Sequence, residues 1–169
     1  MTARQYCFVK WVCYSLSFLL ILFLQSLLLS SFRVLGTTPF LLPVLVCVSA
    51  SYEGWRQGGI YALLVGLLAD LLLTSGPFPA FYTLGMTLAA LTAAAIAKYR
   101  IAPGFLCSLT ASLAGFTVLL LVRLFVAGLE GTAPLPLLII GGKECLLSLP
   151  FALPVNWLFA RISRKFALD

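Results

Sequence analysis

Histidine is absent from this chain, and acids are scarce: Glu53, Asp70, Glu130, Glu144 and Asp169 are the whole acidic complement. An enzyme embedded in a membrane needs a nucleophile beside a base, paired carboxylates, or a set of metal ligands. Here there is no imidazole, no two acids are spaced as a helical pair, and no glycine-rich loop leads into Lys-Ser/Thr. Catalysis is not expected, and neither is a cofactor or a metal. Cys7, Cys13, Cys47, Cys107 and Cys145 contain no Cys-x-x-Cys pair, and all but Cys7 sit in apolar stretches. They read as small buried hydrophobes, not as disulfides or a zinc site. Also missing are the repeated polar residues of a pump or channel lining, and any polar stretch long enough for a water-soluble domain.

What is there is hydrocarbon. Of 169 residues, 62% are hydrophobic and 9% charged, and the mean hydropathy is +1.11. No water-soluble domain of this size has that composition. The expectation is a single all-α membrane domain over residues 1–169. The net charge of +6 then reports topology and contact with anionic membrane lipids, not nucleic acid. Arg4 and Lys10 ahead of an apolar run imitate a signal peptide. The run 11–32, however, holds 22 residues without a charge and no alanine for a cleavage site, so it reads as a retained helix.

Six helices are expected, at about 11–32, 40–53, 59–73, 80–97, 105–127 and 137–160. Arg33 and Gly36 close the first, whose one strongly polar residue is Gln25. Thr38-Pro39 reads as an N-cap followed by a first-turn proline. The second helix is short for a span, at about 20 Å of rise, so it sits deep among neighbours or continues into the polar turn that follows. Thr74 to Pro79 is a tight turn that makes its flanking helices antiparallel neighbours. Pro103-Gly104 restarts the chain after Lys98-Tyr99-Arg100. The sixth helix is irregular, with Gly141-Gly142-Lys143-Glu144 inside it and Pro150 and Pro154 beyond. Each proline removes an amide donor, so a kink packed against protein is expected.

With the N- and C-termini in the cytoplasm, Arg4, Lys10, Arg56, Lys98, Arg100, Arg161, Arg164 and Lys165 fall inside and only Arg33 lies in an outer loop. Five spans would spoil that asymmetry.

Within 58–79, one carboxylate stands in an apolar run. A charge at the bilayer centre costs about 2.5–3.5 kcal/mol on insertion scales, so Asp70 needs a partner. Gly58, Ala62, Gly66 and Asp70 are four apart and share a helix face. Gly85, Ala89, Ala93 and Ala97 repeat the device on the next helix. Such stripes let backbones approach closely. They pack the two helices together or stay open to a partner chain. Arg123 shares a helix face with Ser112, eleven residues before it. The six-span topology puts Asp70, Arg123, Lys143 and Glu144 at similar depth. That predicts an outer polar cluster, with Asp70 on Arg123 or Lys143 and Glu144 on the remaining cation, unless Asp70 is simply used locally as a cap.

The residues from Pro39 to about Leu91 resemble the bacterial rod shape-determining family MreD. The carriers are the short apolar helix, the turn Tyr52-Glu53-Gly54 and the glycine-spaced helix ending Gly66-Leu67-Leu68-Ala69-Asp70. The turn Ser75-Gly76-Pro77-Phe78 and the small-residue helix Tyr82 to Ala97 follow. One departure is Pro79-Ala80, where the family commonly has glycine after the turn. The resemblance implies a six-helix fold like that of the substrate-binding S components of energy-coupling-factor vitamin transporters. It also implies a non-catalytic subunit of the cell-elongation machinery in the bacterial cytoplasmic (inner) membrane. Its implied partners are an MreC-like single-pass protein and, indirectly, MreB and the glycan polymerase and transpeptidase of lateral peptidoglycan synthesis. The rival reading is an S component itself. Such subunits dock through Ala-x-x-x-Ala on the first helix, and this first helix has no alanine.

Overall fold

The computed structural model describes residues 3–29, 37–73, 78–99, 104–131 and 133–166, and these are helical apart from short connections. Arg33, Gly36, Gly76, Pro77, Arg100 and Pro103 lie outside the described residues. Among the described residues, four helical stretches are long and apolar enough to cross a membrane: Phe8–Ser26, Phe81–Tyr99, Phe105–Leu129 and Pro134–Lys165.

Helix α1 spans Ala3–Phe23 and runs on through a wider π-helical stretch, Leu24–Leu29. Helix α2, Leu42–Leu72, is interrupted at Gly54, whose φ of 75° and ψ of −176° are non-helical. A β-carbon on Gly58 would sit 2.6 Å from the Ala50 Cα. Residues eight apart in a straight helix are separated by about 12 Å, so α2 folds back on itself. It forms a hairpin with Gly54 at the tip and arms 42–53 and 55–72. The turn expected from Glu53 to Gly58 thus shrinks to one left-handed glycine, the residue type that enters this region without a Cβ clash.

The first arm is the core of the protein. Residues 40–51 are each at most 9% exposed, as befits a helix apolar on all sides. Its short length matters little, because other helices surround it. Thr38 is not its cap: residues 38–41 are non-helical, and Pro43 occupies the first turn.

Helix α3, Phe81–Tyr99, packs on the second arm of α2, and α4, Phe105–Leu129, packs on α3. Glycine sets each approach. A β-carbon on Gly66 would lie 2.6 Å from Thr83 Cα, and one on Gly115 would lie 2.3 Å from Cys47 Sγ. Cys47 and Cys107 are buried thiols, and Cys13 and Cys145 are half-buried. Helix α5, Pro134–Ser148, begins three residues before the expected start. It meets α6, Ala152–Phe166, through a 3₁₀ turn at Leu149–Phe151. This is the proline kink. The Ala152 amide donates to the Leu149 and Pro150 carbonyls there, and the Pro150 carbonyl is the acceptor that Pro154 leaves open.

The backbone at Ala80 is left-handed, with φ 69°, a conformation that costs a non-glycine residue about 1 kcal/mol. Ala80→Gly is expected to raise stability by about 1 kcal/mol, read as a shift of the unfolding midpoint in a detergent-denaturant series. In the same assay Gly66→Ala is expected to lower stability by about 1–3 kcal/mol, because its methyl meets backbone that cannot move alone.

Candidate functional site

Two helices begin inside the bundle, side by side, with the Phe40 and Tyr82 ring centroids 5.6 Å apart. The first amides of a helix have no intrahelical acceptor, and hydrocarbon offers no water. The start of α3 is completed by a side chain from α2, and the non-helical segment that leads into α2 is held by two side chains from other elements. At α3, Asp70 accepts from the Tyr82 amide at 2.9 Å, the Thr83 amide at 2.8 Å and the Thr83 hydroxyl at 2.6 Å. A carboxylate here also meets the positive end of the α3 dipole. At α2, the Phe40 amide donates to Ser148 Oγ at 2.8 Å and the Leu41 amide to Gln25 Oε1 at 3.2 Å. Gln25 sits on the π-helical stretch of α1.

Asp70 therefore has donors without a cation. Arg123 Nη1 instead donates to Glu144 Oε2 at 2.7 Å, and its guanidinium lies 5.7 Å from the Phe81 ring centroid. Of the two expected arrangements, the one with Glu144 on Arg123 is seen and the pairing of Asp70 with Arg123 is not; two amides and a hydroxyl serve the Asp70 oxygens. Lys143 is half-buried beside Glu144 on α5. Of the family-like turn, Phe78 is described, and it stacks edge-on against Phe81 at 5.6 Å.

Next to these groups lies a cavity of about 800 Å³, lined by Gln25, Phe40, Tyr82, Arg123, Glu130 and Glu144 among others. Its size falls in the range of small-molecule sites. Among the described residues no group of three or more His, Cys, Asp or Glu is placed to hold a metal.

The small-residue seams face inward. Gly58 meets Ala50, Gly66 meets Thr83, and a β-carbon on Gly85 would strike Leu119 Cδ2 at 2.4 Å. Ala62, Ala89 and Ala93 are 0% exposed. Partner helices within the chain cover both stripes except at the half-buried Ala97, and the outward faces are leucine: Leu63, Leu64, Leu67, Leu68 and Leu71 on α2, and Leu84, Leu88 and Leu91 on α3.

A second polar cluster at the other end of the bundle was not anticipated. Glu53, at the hairpin tip, pairs with Lys10 and accepts from the Tyr14 hydroxyl. Tyr61 donates to the Tyr14 carbonyl at 3.2 Å. Close by, Asn156 Oδ1 accepts from Tyr52 at 2.8 Å and Ser108 at 2.7 Å. These contacts tie α1, α4 and α6 to the hairpin. The signal was present in the topology, which places Lys10 and Glu53 at one membrane face, yet Glu53 read as a loop residue.

A double-mutant cycle checks the pairing. Arg123→Gln with Glu144→Gln is expected to show coupling of about 1 kcal/mol. Asp70→Asn with Arg123→Gln is expected to be additive within about 0.5 kcal/mol, while Asp70→Asn alone destabilises by about 1–2 kcal/mol through the lost cap. Comparison with protein-family models, with curated proteins and with solved structures finds no match, so a functional reading rests on these contacts and on the sequence.

Proposed function

We propose that this chain is a non-catalytic membrane subunit of the bacterial cell-elongation complex, a protein of the MreD kind. It crosses the cytoplasmic membrane six times with both termini inside. It engages an MreC-like single-pass partner, and through it MreB and the glycan polymerase and transpeptidase of lateral wall synthesis. The observation that carries the reading is the work done by Asp70. Gly-Leu-Leu-x-Asp arises by chance in apolar helices, but here its acid caps the next helix. The acid and the small-residue helix that the resemblance rests on form one physical unit. The left-handed residue Ala80 falls where that family commonly carries glycine, which is the residue such a backbone favours.

The charge distribution supports the orientation. Lys10, Arg56, Lys98, Arg161, Arg164 and Lys165 cluster toward the hairpin-tip end, while the end that holds Asp70, Glu130 and Glu144 is rich in acid. The protein acts by presenting a lipid-embedded surface, with no covalent bond made or broken. Since the glycine-alanine seams are filled from within, the partner helix meets the leucine face of α2 and that of α1, where Leu16, Leu19 and Leu20 are exposed.

The rival, a vitamin-binding S component, draws support from the cavity of about 800 Å³ beside Arg123, Glu130 and Glu144. One purification separates the two. Co-expression with a single-pass coiled-coil protein from a neighbouring gene is expected to retain that protein through detergent affinity purification. Leu64→Ala with Leu68→Ala is expected to weaken that retention while leaving the unfolding midpoint within a few degrees. A copurifying vitamin with no retained partner would overturn the reading.

A further inference from the structure

At the hairpin-tip end a cleft of about 500 Å³ opens between α2 and the last turns of α3. Ser51 to Trp55 form one wall; Leu91, Ala94, Ala95, Ala97, Lys98 and Tyr99 form the other. The cleft exists because its residues are small where the two helices part: alanines on α3, and Gly54 at the tip. Its electrostatics are one-sided. The Glu53 carboxylate is engaged by Lys10 and Tyr14 on α1. The Ser51 hydroxyl is spent on the Val48 carbonyl. Lys98 is the cation among the described lining residues, and it is exposed. Trp55 and Tyr99 flank the mouth, 67% and 71% exposed. Below the mouth Leu91 continues into Leu88 and Leu84, an exposed leucine seam on one side of α3. From Lys98 to Leu84 the helix rises about 21 Å, more than the roughly 15 Å thickness of one hydrocarbon leaflet.

We infer that this cleft holds one anionic phospholipid. Its phosphate sits on Lys98 between Trp55 and Tyr99, and an acyl chain lies along Leu91, Leu88 and Leu84. Three features converge on that occupant. A cation without a competing acid matches an anionic headgroup. Exposed tryptophan and tyrosine belong at headgroup depth. The apolar seam starts at the floor of the same cleft and runs toward the bilayer centre. The inference is independent of the partner protein and of which leaflet this end faces.

Tryptophan fluorescence tests it. Trp11→Phe with Trp157→Phe leaves Trp55 as the reporter, because the chain has three tryptophans. This protein is reconstituted into bilayers that mix phosphatidylcholine and phosphatidylglycerol, with one or the other brominated. Brominated phosphatidylglycerol is expected to quench Trp55 with an apparent affinity about fivefold higher than brominated phosphatidylcholine, the size expected of one lysine near an anionic lipid. Lys98→Gln is expected to bring the ratio close to one, and Lys98→Arg to restore it. Lys165→Gln, at the same end but outside the cleft, is expected to leave it unchanged. Equal quenching by both lipids in the parent overturns the site. So does a loss in Lys165→Gln as large as in Lys98→Gln, which would mark a diffuse surface charge. Both lysines are exposed, and the far-ultraviolet circular dichroism of each variant verifies its fold.

Discussion

The constraint on which this structure depends is the backbone amide at a helix start inside an apolar bundle. Helix α2 begins in the middle of the bundle, and α3 begins beside it. Each exposes amides that cost several kcal/mol apiece if left unpaired in hydrocarbon. Asp70 completes two of them at α3, and Ser148 and Gln25 take the Phe40 and Leu41 amides just ahead of α2. These three polar residues come from α1, the end of α5 and the end of α2. Each cap is therefore also a tie between elements far apart in sequence, and the polar groups that look most out of place in an apolar chain hold its helix starts together.

The caps also account for the shape of the core. A first arm that is fully buried must be short, because it is enclosed at both ends: by the Ser148 and Gln25 contacts just ahead of its start, and by the Gly54 reversal and the Glu53 contacts at its tip. Close approach of α3 and α4 then depends on missing side chains. Gly66 admits the backbone of α3, and Gly115 admits Cys47. In lipid, where apolar surface alone gives helices little reason to associate, packing of this kind and a few polar ties supply the cohesion.

Both functional ideas follow from this economy. With the seams and the Asp70 carboxylate used internally, recognition of other molecules passes to what is left outward: the leucine faces, the cavity beside Arg123 and Glu144, and the cleft at Lys98. Bulky substitutions in the seams would report on folding before they reported on any partner.

Much was legible in advance. Helix positions follow from apolar runs bounded by Arg33, Glu53, Pro77, Lys98 and Pro103, because hydrocarbon excludes charge and proline interrupts the amide ladder. The kink at Pro150 and the need for some partner at Asp70 followed from the same chemistry. Which partner Asp70 takes was not legible. Donors to a carboxylate can be cations or amides, and sequence spacing does not say which lies within 3 Å. Nor did spacing reveal that the Gly58 stripe folds onto Ala50 in its own hairpin, or that Glu53 reaches Lys10. Composition and periodicity determined that this chain is a bundle of membrane-seeking helices with close-packed glycine contacts. Tertiary structure alone decided which polar groups meet, because hydrogen bonds form across space between residues such as Phe40 and Ser148 that no local pattern connects.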